Sequence, residues 1–307
     1  MMEATDRRQA DREELVARLT RLLPDEGYAE PWPGLVLGRA DAATDLVHGV
    51  SVPAFCVIAQ GSKEILLGDQ TYHYDPAHYL ITTAALPIAG RVTAASPERP
   101  SLSLNLRLDP ALVGTVIIEA GHVGSRGQST VPAIDVSPLE AGLLDATVRL
   151  IRLLDNPDEA RILVPMVTRE IVYRLLKGAQ GGRLGQVVAL GGQPHRIARA
   201  IARLQQDLSR PLRVEDLAGE LGMSVSGFHY HFKAVTAMSP VRFQRQLRLQ
   251  EARRLMLGEG VDAATAGRRV GYDDPAYFSR EYKRLFGAPP LRHVGQLREG
   301  AVQSAAL

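Results

Sequence analysis

The sequence predicts an α+β chain of two domains: an N-terminal antiparallel β-barrel with a helical region after it, then an all-α C-terminal domain with two helix-turn-helix units. Three observations predict it. Residues from about 35 to 108 form short β-rich runs with no helical periodicity between them. From about 193 onward the periodicity is helical, and one pattern there occurs twice, 50 residues apart. Charge divides at the same place: residues 193–307 hold 18 Lys and Arg against 11 Asp and Glu, a formal +7, whereas 1–192 hold 18 against 23, a formal −5.

With 307 residues, 45% of them apolar and 23% charged, the chain suits about two domains and is neither disordered nor fibrous in composition. Cys56 is the single cysteine, which excludes an internal disulfide framework and a cysteine-only metal cluster. The opening Met-Met-Glu-Ala-Thr-Asp-Arg-Arg is too charged for a secretory signal. No apolar run approaches the ~18–20 residues of a membrane span. A cytoplasmic protein with no membrane partner is expected. A basic module joined to an acidic one suits a polyanion-binding domain attached to something else, although arginine outnumbers lysine 32 to 4, a bias that genome composition alone can produce.

In chain order, Leu15, Leu19 and Leu22 within 10–23 predict a short amphipathic helix. Ala54–Gln60, Lys63–Leu67, Thr71–Tyr74 and Tyr79–Thr83 read as strands, separated by turn formers such as Gly68-Asp69 and Asp75-Pro76. The clearest strand is Ser101 to Leu108: Leu102, Leu104, Leu106 and Leu108 alternate with Ser101, Ser103, Asn105 and Arg107, predicting one buried and one wet face. Six to eight such runs argue for an antiparallel sandwich or small barrel. After Asp109-Pro110 the pattern turns helical. Leu139, Leu143, Thr147, Ile151 and Leu154 form one stripe; Ile162, Met166, Ile171, Leu175 and Leu176 form another, with a break at Asn156-Pro157. Stripes of this kind in 138–177 suit a homodimer face as well as a core. Residues 178–192 are glycine-rich and read as an unpacked linker, so the domains are assigned as 1–192 and 193–292, with a tail at 293–307.

Past the linker, Ile197, Ile201, Leu204 and Leu208 line one helix, which stops before Arg210-Pro211. Then Phe228-x3-Phe232-Lys233-x6-Pro240 recurs as Phe278-x3-Tyr282-Lys283-x6-Pro290. In each copy a short helix ends at a glycine, Gly222 or Gly271, a residue that permits the positive φ of a sharp turn. Ser224 then supplies an N-cap in one copy, and Asp274 with first-turn Pro275 supplies it in the other. Helix, glycine turn and helix make the unit that lays a second helix in the major groove of DNA. The two units are placed at about 212–235 and 261–287. Between them Phe243, Leu247 and Leu255 predict a connecting helix over Pro240–Met256. Its 17 residues would span about 25 Å, and with the offset of the recognition helices the separation nears the ~34 Å between successive grooves.

Residues 195–292 resemble the DNA-binding domain of the AraC/XylS family of bacterial transcriptional regulators. The stretch Val270-Gly271-Tyr272 through Gly287-Ala288-Pro289-Pro290 carries the likeness, with Gly271, Phe278, Arg280, Tyr282, Lys283, Gly287 and Pro290 at the positions that define the family motif. The first copy matches more loosely and has Tyr230 where the family more often places arginine; Gly267 stands where a packed alanine is usual, which should loosen that helix by up to ~1 kcal/mol. Residues 31–177, with Pro53 to Gly61 and Tyr72-His73-Tyr74-Asp75-Pro76, resemble the cupin-like effector domain found in one branch of the family. The resemblance implies promoter DNA as partner, a small-molecule effector, RNA polymerase if the protein is an activator, and no cofactor.

Helical phase then sorts the recognition helices. With Phe228, Phe232, Phe278 and Tyr282 turned inward, Ser226, His229, Tyr230, Ala276, Ser279 and Arg280 face out as candidate base contacts. The guanidinium of Arg280 suits guanine O6 and N7, unless it pairs with Glu281 or Asp273 or meets a phosphate. Lys233, Lys283 and Arg284 are candidate phosphate contacts.

The rival reading is a cupin-like metalloenzyme built on His48, His73, His78 and His122. It lacks the His-x-His and nearby glutamate of metal cupins, and no nucleophilic constellation is present. Gly121-x2-Gly124-x2-Gly127 lacks the strand-and-helix setting of a phosphate loop. A further alternative is a barrel that only dimerises. Because the linker is glycine-rich, an effector signal is expected to travel through an interdomain contact or altered dimer geometry.

Overall fold

Turn residues between short apolar runs produce strands from residue 27 onward, and the computed structural model describes residues 2–121, 131–188 and 192–299. The chain opens with α1 (Met2–Leu22), then β1 (Gly27–Trp32), β2 (Leu35–Ala40), β3 (Val47–Val50), β4 (Ala54–Gln60), β5 (Ser62–Leu67), β6 (Gln70–Tyr74), β7 (His78–Thr82), β8 (Pro87–Ala94) and β9 (Ser101–Arg107). Next come α2 (Pro110–Glu119), β10 (Ile134–Pro138), α3 (Ala141–Leu153), α4 (Pro157–Lys177) and α5 (Gly181–Val188). The strands form two antiparallel sheets, ordered β1-β2-β9-β4-β7-β10 and β3-β8-β5-β6, facing each other as an open, flattened barrel.

The larger sheet is covered on both sides over most of its width, and of the wet face expected of β9 only Arg107 is exposed and Asn105 half-buried. Leu102, Leu104 and Leu106 face α1, α3 and α4, beside Leu15, Leu19, Phe55, Val57 and Ile171. Ser101 and Ser103, on the opposite face, are buried at 2% exposure each because the second sheet lies over them. The Lys63 ammonium of β5 crosses the interior and donates to Ser103 Oγ at 2.9 Å. Strand β4 is likewise buried on both faces, with Cys56 and Ile58 turned inside.

The helical region differs from expectation in two places. Asn156 and Pro157 do break it, Asn156 capping α4 through the amides of Asp158 and Glu159. Yet Ile162 and Met166 lie exposed at 68% and 61%, while Ala160, Val164 and Val167 fill the core instead. Residues 178–192, read as an unpacked linker, contain α5. Glycine lowers helix propensity by about 1 kcal/mol per residue. Here buried Leu184 and Val187 outweigh it, and Gln186 accepts from Thr83 Oγ1 at 2.6 Å and donates to the Val131 carbonyl at 2.8 Å.

The C-terminal part is helical: α6 (Gly192–Gln206), α7 (Val214–Glu220), α8 (Val225–Thr236), α9 (Pro240–Gly258), α10 (Ala263–Arg269), α11 (Pro275–Phe286) and α12 (Pro290–Glu299). Residues 293–299, assigned to a tail, are thus helical: Val294 is buried against α9–α11, and His293 meets the Tyr282 hydroxyl at 3.0 Å. Two cores divide this part. Helices α6, α7, α8 and the first half of α9 share a core with the barrel interior, whereas Leu249, Met256, Phe278 and Tyr282 belong to a separate one. The first unit also touches the barrel directly: Ala133 N–H donates to the Val235 carbonyl at 2.9 Å, and Arg242 pairs with Asp69 at 3.0 Å.

Candidate nucleic-acid interface

Local chemistry builds both helix-turn-helix units as their sequences require. Helix α7 ends at Gly222, φ +62°, and α10 at Gly271, φ +86°. Ser224 Oγ then accepts the Gly227 amide at 3.2 Å, and Asp274 Oδ1 accepts the Ala276 amide at 2.8 Å. These bonds satisfy amides that the first turn of a helix leaves free. Apolar anchors orient each second helix. Phe228 and Phe232 are fully buried in α8, and Phe278 and Tyr282 in α11. Gly267 lets α10 approach α11 closely: a Cβ there would lie 3.1 Å from the Phe278 ring. Loosening of α10 by the glycine is therefore set against a close ring contact that alanine would crowd.

The opposite face of α8 presents Ser226, His229 and Tyr230 to solvent, with Tyr230 70% exposed, and Lys233 is exposed one turn on. On α11, Ala276 and Arg280 are exposed and Ser279 half-buried; Lys283 and Arg284 are exposed near its end. Arg280 does not pair with Glu281 or Asp273 among the described residues. Its guanidinium lies 5.9 Å from the Tyr277 ring centre, a weak hold that leaves its donors available. Glu281 is instead engaged by Arg245 of α9 at 3.2 Å and by Arg284 at 2.7 Å, so Arg284 is tied within its own helix.

Arg248 of α9 escaped the sequence reading. Its guanidinium donates to the carbonyls of Leu208 at 2.6 Å, Arg210 at 2.8 Å, Gly271 at 3.2 Å and Ser209 at 3.3 Å. It joins the loop entering the first unit to the turn of the second. Five donors in a planar fork make arginine suited to such a four-carbonyl clamp. An arginine on an amphipathic helix carries no local sign of this role. Together, α9 and Arg248 join the two helix-turn-helix units.

The histidines of the barrel each have a separate partner among the described residues. No group of three His, Cys, Asp or Glu is placed to hold a metal ion there. His73 faces Glu64 at 3.4 Å, His78 faces Asp75 at 2.7 Å, and His48 packs edge-on against Phe286. His122, Gly124 and Gly127 lie outside the described residues. Burial pushes the Cys56 thiol up to about 12, which makes it a poor nucleophile. No helix among the described residues is long and apolar enough to cross a membrane.

Comparison with known proteins places both halves. Residues 31–183 match the family model of the AraC-type transcriptional regulator N-terminus, and 217–294 match that of a helix-turn-helix domain. The chain is 30% identical over 156 residues to the arabinose operon regulatory protein of Salmonella typhimurium, covering 44% of this chain and 54% of that one. It is 30% identical over 99 residues to the MmsAB operon regulatory protein of Pseudomonas aeruginosa, 32% of each chain. The match thus spans about half, or less, of these relatives' length. In fold it is similar to ToxT from Vibrio cholerae, with a TM-score of 0.54 at 11% identity over 88% of this chain and 98% of that one. Two capped recognition helices in tandem, a barrel ahead of them and family models matching each half lead to one conclusion: the chain belongs to the AraC-type transcriptional regulators.

Proposed function

We propose that the protein is a cytoplasmic, sequence-specific DNA-binding transcriptional regulator without catalytic activity, reading two adjacent major grooves of promoter DNA. One observation carries the reading: α8 and α11 each bury one aromatic face and leave the other open, on units joined by the α9–Arg248 clamp. Ser226, His229, Tyr230, Ala276, Ser279 and Arg280 meet base edges. Lys233 and Lys283 meet phosphates, and Arg284 joins them on leaving Glu281. The test is selection of genomic fragments by the purified full chain, followed by titration of recovered and scrambled duplexes. Enrichment of a motif with two half-sites one helical turn apart is expected. Absence of duplex binding even at low ionic strength would refute the regulator.

Control by a small-molecule effector at the N-terminal domain is supported by a cavity of about 530 Å³ beside the barrel interior. ToxT, similar in fold, has been crystallised with an unsaturated fatty acid bound. A homodimer through the 138–177 helices is supported by Ile162, Met166 and Tyr173, which leave one side of α4 apolar and exposed. If the protein activates transcription, RNA polymerase is a further partner.

A further inference from the structure

The repeat continues past the recognition helices. At the end of α8, Ala237 takes φ +56° and its amide donates to the Lys233 carbonyl at 2.8 Å; at the end of α11, Gly287 takes φ +80° and its amide donates to the Lys283 carbonyl at 2.8 Å. Each turn leads into a helix that opens with proline, an apolar residue and arginine, Pro240-Val241-Arg242 in α9 and Pro290-Leu291-Arg292 in α12. The proline is buried in both copies. The apolar residue faces solvent in both, Val241 at 46% and Leu291 at 72% exposure.

The two arginines differ in one respect. Arg292 is exposed, and its guanidinium meets no partner among the described residues. Arg242 is half-buried and is held by the Asp69 carboxylate at 3.0 Å. Asp69 stands between β5 and β6 at the tip of their hairpin, and that tip is seated on the end of α8: a Cβ on Gly68 would lie 2.6 Å from the Ala237 carbonyl oxygen. The barrel thus brings a carboxylate to one copy of a repeated arginine and leaves the other bare.

We propose that Arg242 and Arg292 are equivalent contacts to the DNA backbone, one past each recognition helix, and that Asp69 of the barrel competes with a phosphate for the first. The proposal rests on the regulator reading and adds two positioning residues to it. A helix that reads bases must leave the groove across a phosphate-lined rim, so the residues after its closing turn are the next to pass the backbone. A guanidinium there can hold phosphate oxygens through two parallel donors. A carboxylate on that guanidinium takes the phosphate's place and repels the strand beside it. Exchange costs little. The Asp69 side chain is 77% exposed and that of Arg242 43%, so the pair is screened by solvent and can part without displacing the barrel. The first unit gives up an ion pair to gain its phosphate, and the second gives up none.

The test is duplex titration of the full chain over a range of salt, with the duplex recovered by genomic selection and its scrambled counterpart. Arg292→Ala should weaken both duplexes alike and reduce the slope of log affinity against log salt by about one. Arg242→Ala should reduce it by the same amount when made in an Asp69→Asn background, and by less in the wild type. Asp69→Asn alone should tighten both duplexes by about 2- to 5-fold, the scale of one exposed ion pair. That gain should be lost when Arg242→Ala is already present, which separates competition for Arg242 from the mere removal of a negative charge. An unchanged slope in Arg292→Ala, or in Arg242→Ala over Asp69→Asn, overturns the repeated contact. No gain from Asp69→Asn, or a gain that persists in full without Arg242, overturns the competition. Each of these failures leaves wild-type duplex binding intact, whereas failure of the regulator reading abolishes it.

Discussion

Replacing Gly271 with alanine should cost the second helix-turn-helix unit far more than Gly222→Ala costs the first. Both glycines have positive φ, +86° and +62°, where an L-residue costs about 1–2 kcal/mol. Beyond that they differ. A methyl group on Gly222 meets nothing within 4 Å, whereas one on Gly271 would lie 2.2 Å from the Ser209 carbonyl oxygen and 3.1 Å from Nη2 of Arg248. A carbonyl oxygen of the chain cannot swing aside like a side-chain end, so crowding adds about 1–3 kcal/mol. The same displacement pulls apart two of the carbonyls that Arg248 joins. The expected losses are therefore about 1–2 kcal/mol at Gly222 and about 2–5 kcal/mol at Gly271. Hydrogen exchange of the intact chain resolves each unit separately, at α7–α8 and at α10–α11. Each 1.4 kcal/mol appears as about tenfold faster exchange of amides that open with the unit. Equal acceleration in the two variants would refute the argument that close approach, rather than φ alone, demands glycine at 271.

Arg280→Ala should lower affinity for a selected duplex and relax base preference in one half-site, by roughly 1–3 kcal/mol of discrimination; unchanged cognate-to-scrambled ratios in a fluorescence titration would remove Arg280 from the base-reading set. Lys283→Ala should weaken cognate and scrambled duplexes about equally and reduce the slope of log affinity against log salt by about one, and an unaltered slope would count against a phosphate contact. Glu14 gives a pH test. Hydrogen bonds from Arg152 and Arg18 lower its pKa from 4.5 to about 2. Its contribution to stability is thus complete above about 4.5 and is lost as pH falls towards 2. Glu14→Gln should flatten that acid limb in denaturant titrations, and an unchanged pH slope would show that the α1–α3 ion pairs do not matter.

The features legible in the sequence are those set by local chemistry. Strand β4 spans Ala54–Gln60 as read, because a short apolar run bounded by turn formers admits little else. Both helix-turn-helix units were legible because cap, glycine turn and aromatic anchor lie within a few residues of one another. Features that depend on distant chain were not. The serine face of β9 looks wet until a second sheet, whose central strands come from 62–94, is laid over it. Strand β10 exists through its pairing with β7, more than 50 residues earlier, as Ile134↔Thr82 shows. Ile162 and Met166 share a helical stripe with Ile171, but the turn of the helix carries them past the edge of the core. Arg248 is an ordinary basic residue until the loop at 208–210 and the turn at Gly271 close around it.

The two units are attached to the rest of the molecule in unlike ways, and this bears on how such a protein responds. The first shares one core with the barrel interior, a backbone hydrogen bond from Ala133 to Val235 and an approach so close that a Cβ on Gly68 would lie 2.6 Å from the Ala237 carbonyl oxygen. The second has its own core and is held by α9, the Arg248 clamp and the His48–Phe286 contact. Opening the first therefore disrupts the barrel interior, whereas moving the second disturbs a few polar bonds and one ring contact. Motions of lower cost are the more populated, so groove-to-groove geometry should vary by displacement of the second unit as one body, together with the second half of α9 that shares its core. Arg248 resists that displacement through carbonyls alone, and those bonds can be exchanged for water. Arg253 of the same helix donates to the His48 carbonyl and lies over the Phe286 ring, a further tie between barrel and α11. By this argument the first helix-turn-helix unit should stay with the barrel and the second should be the freer of the two.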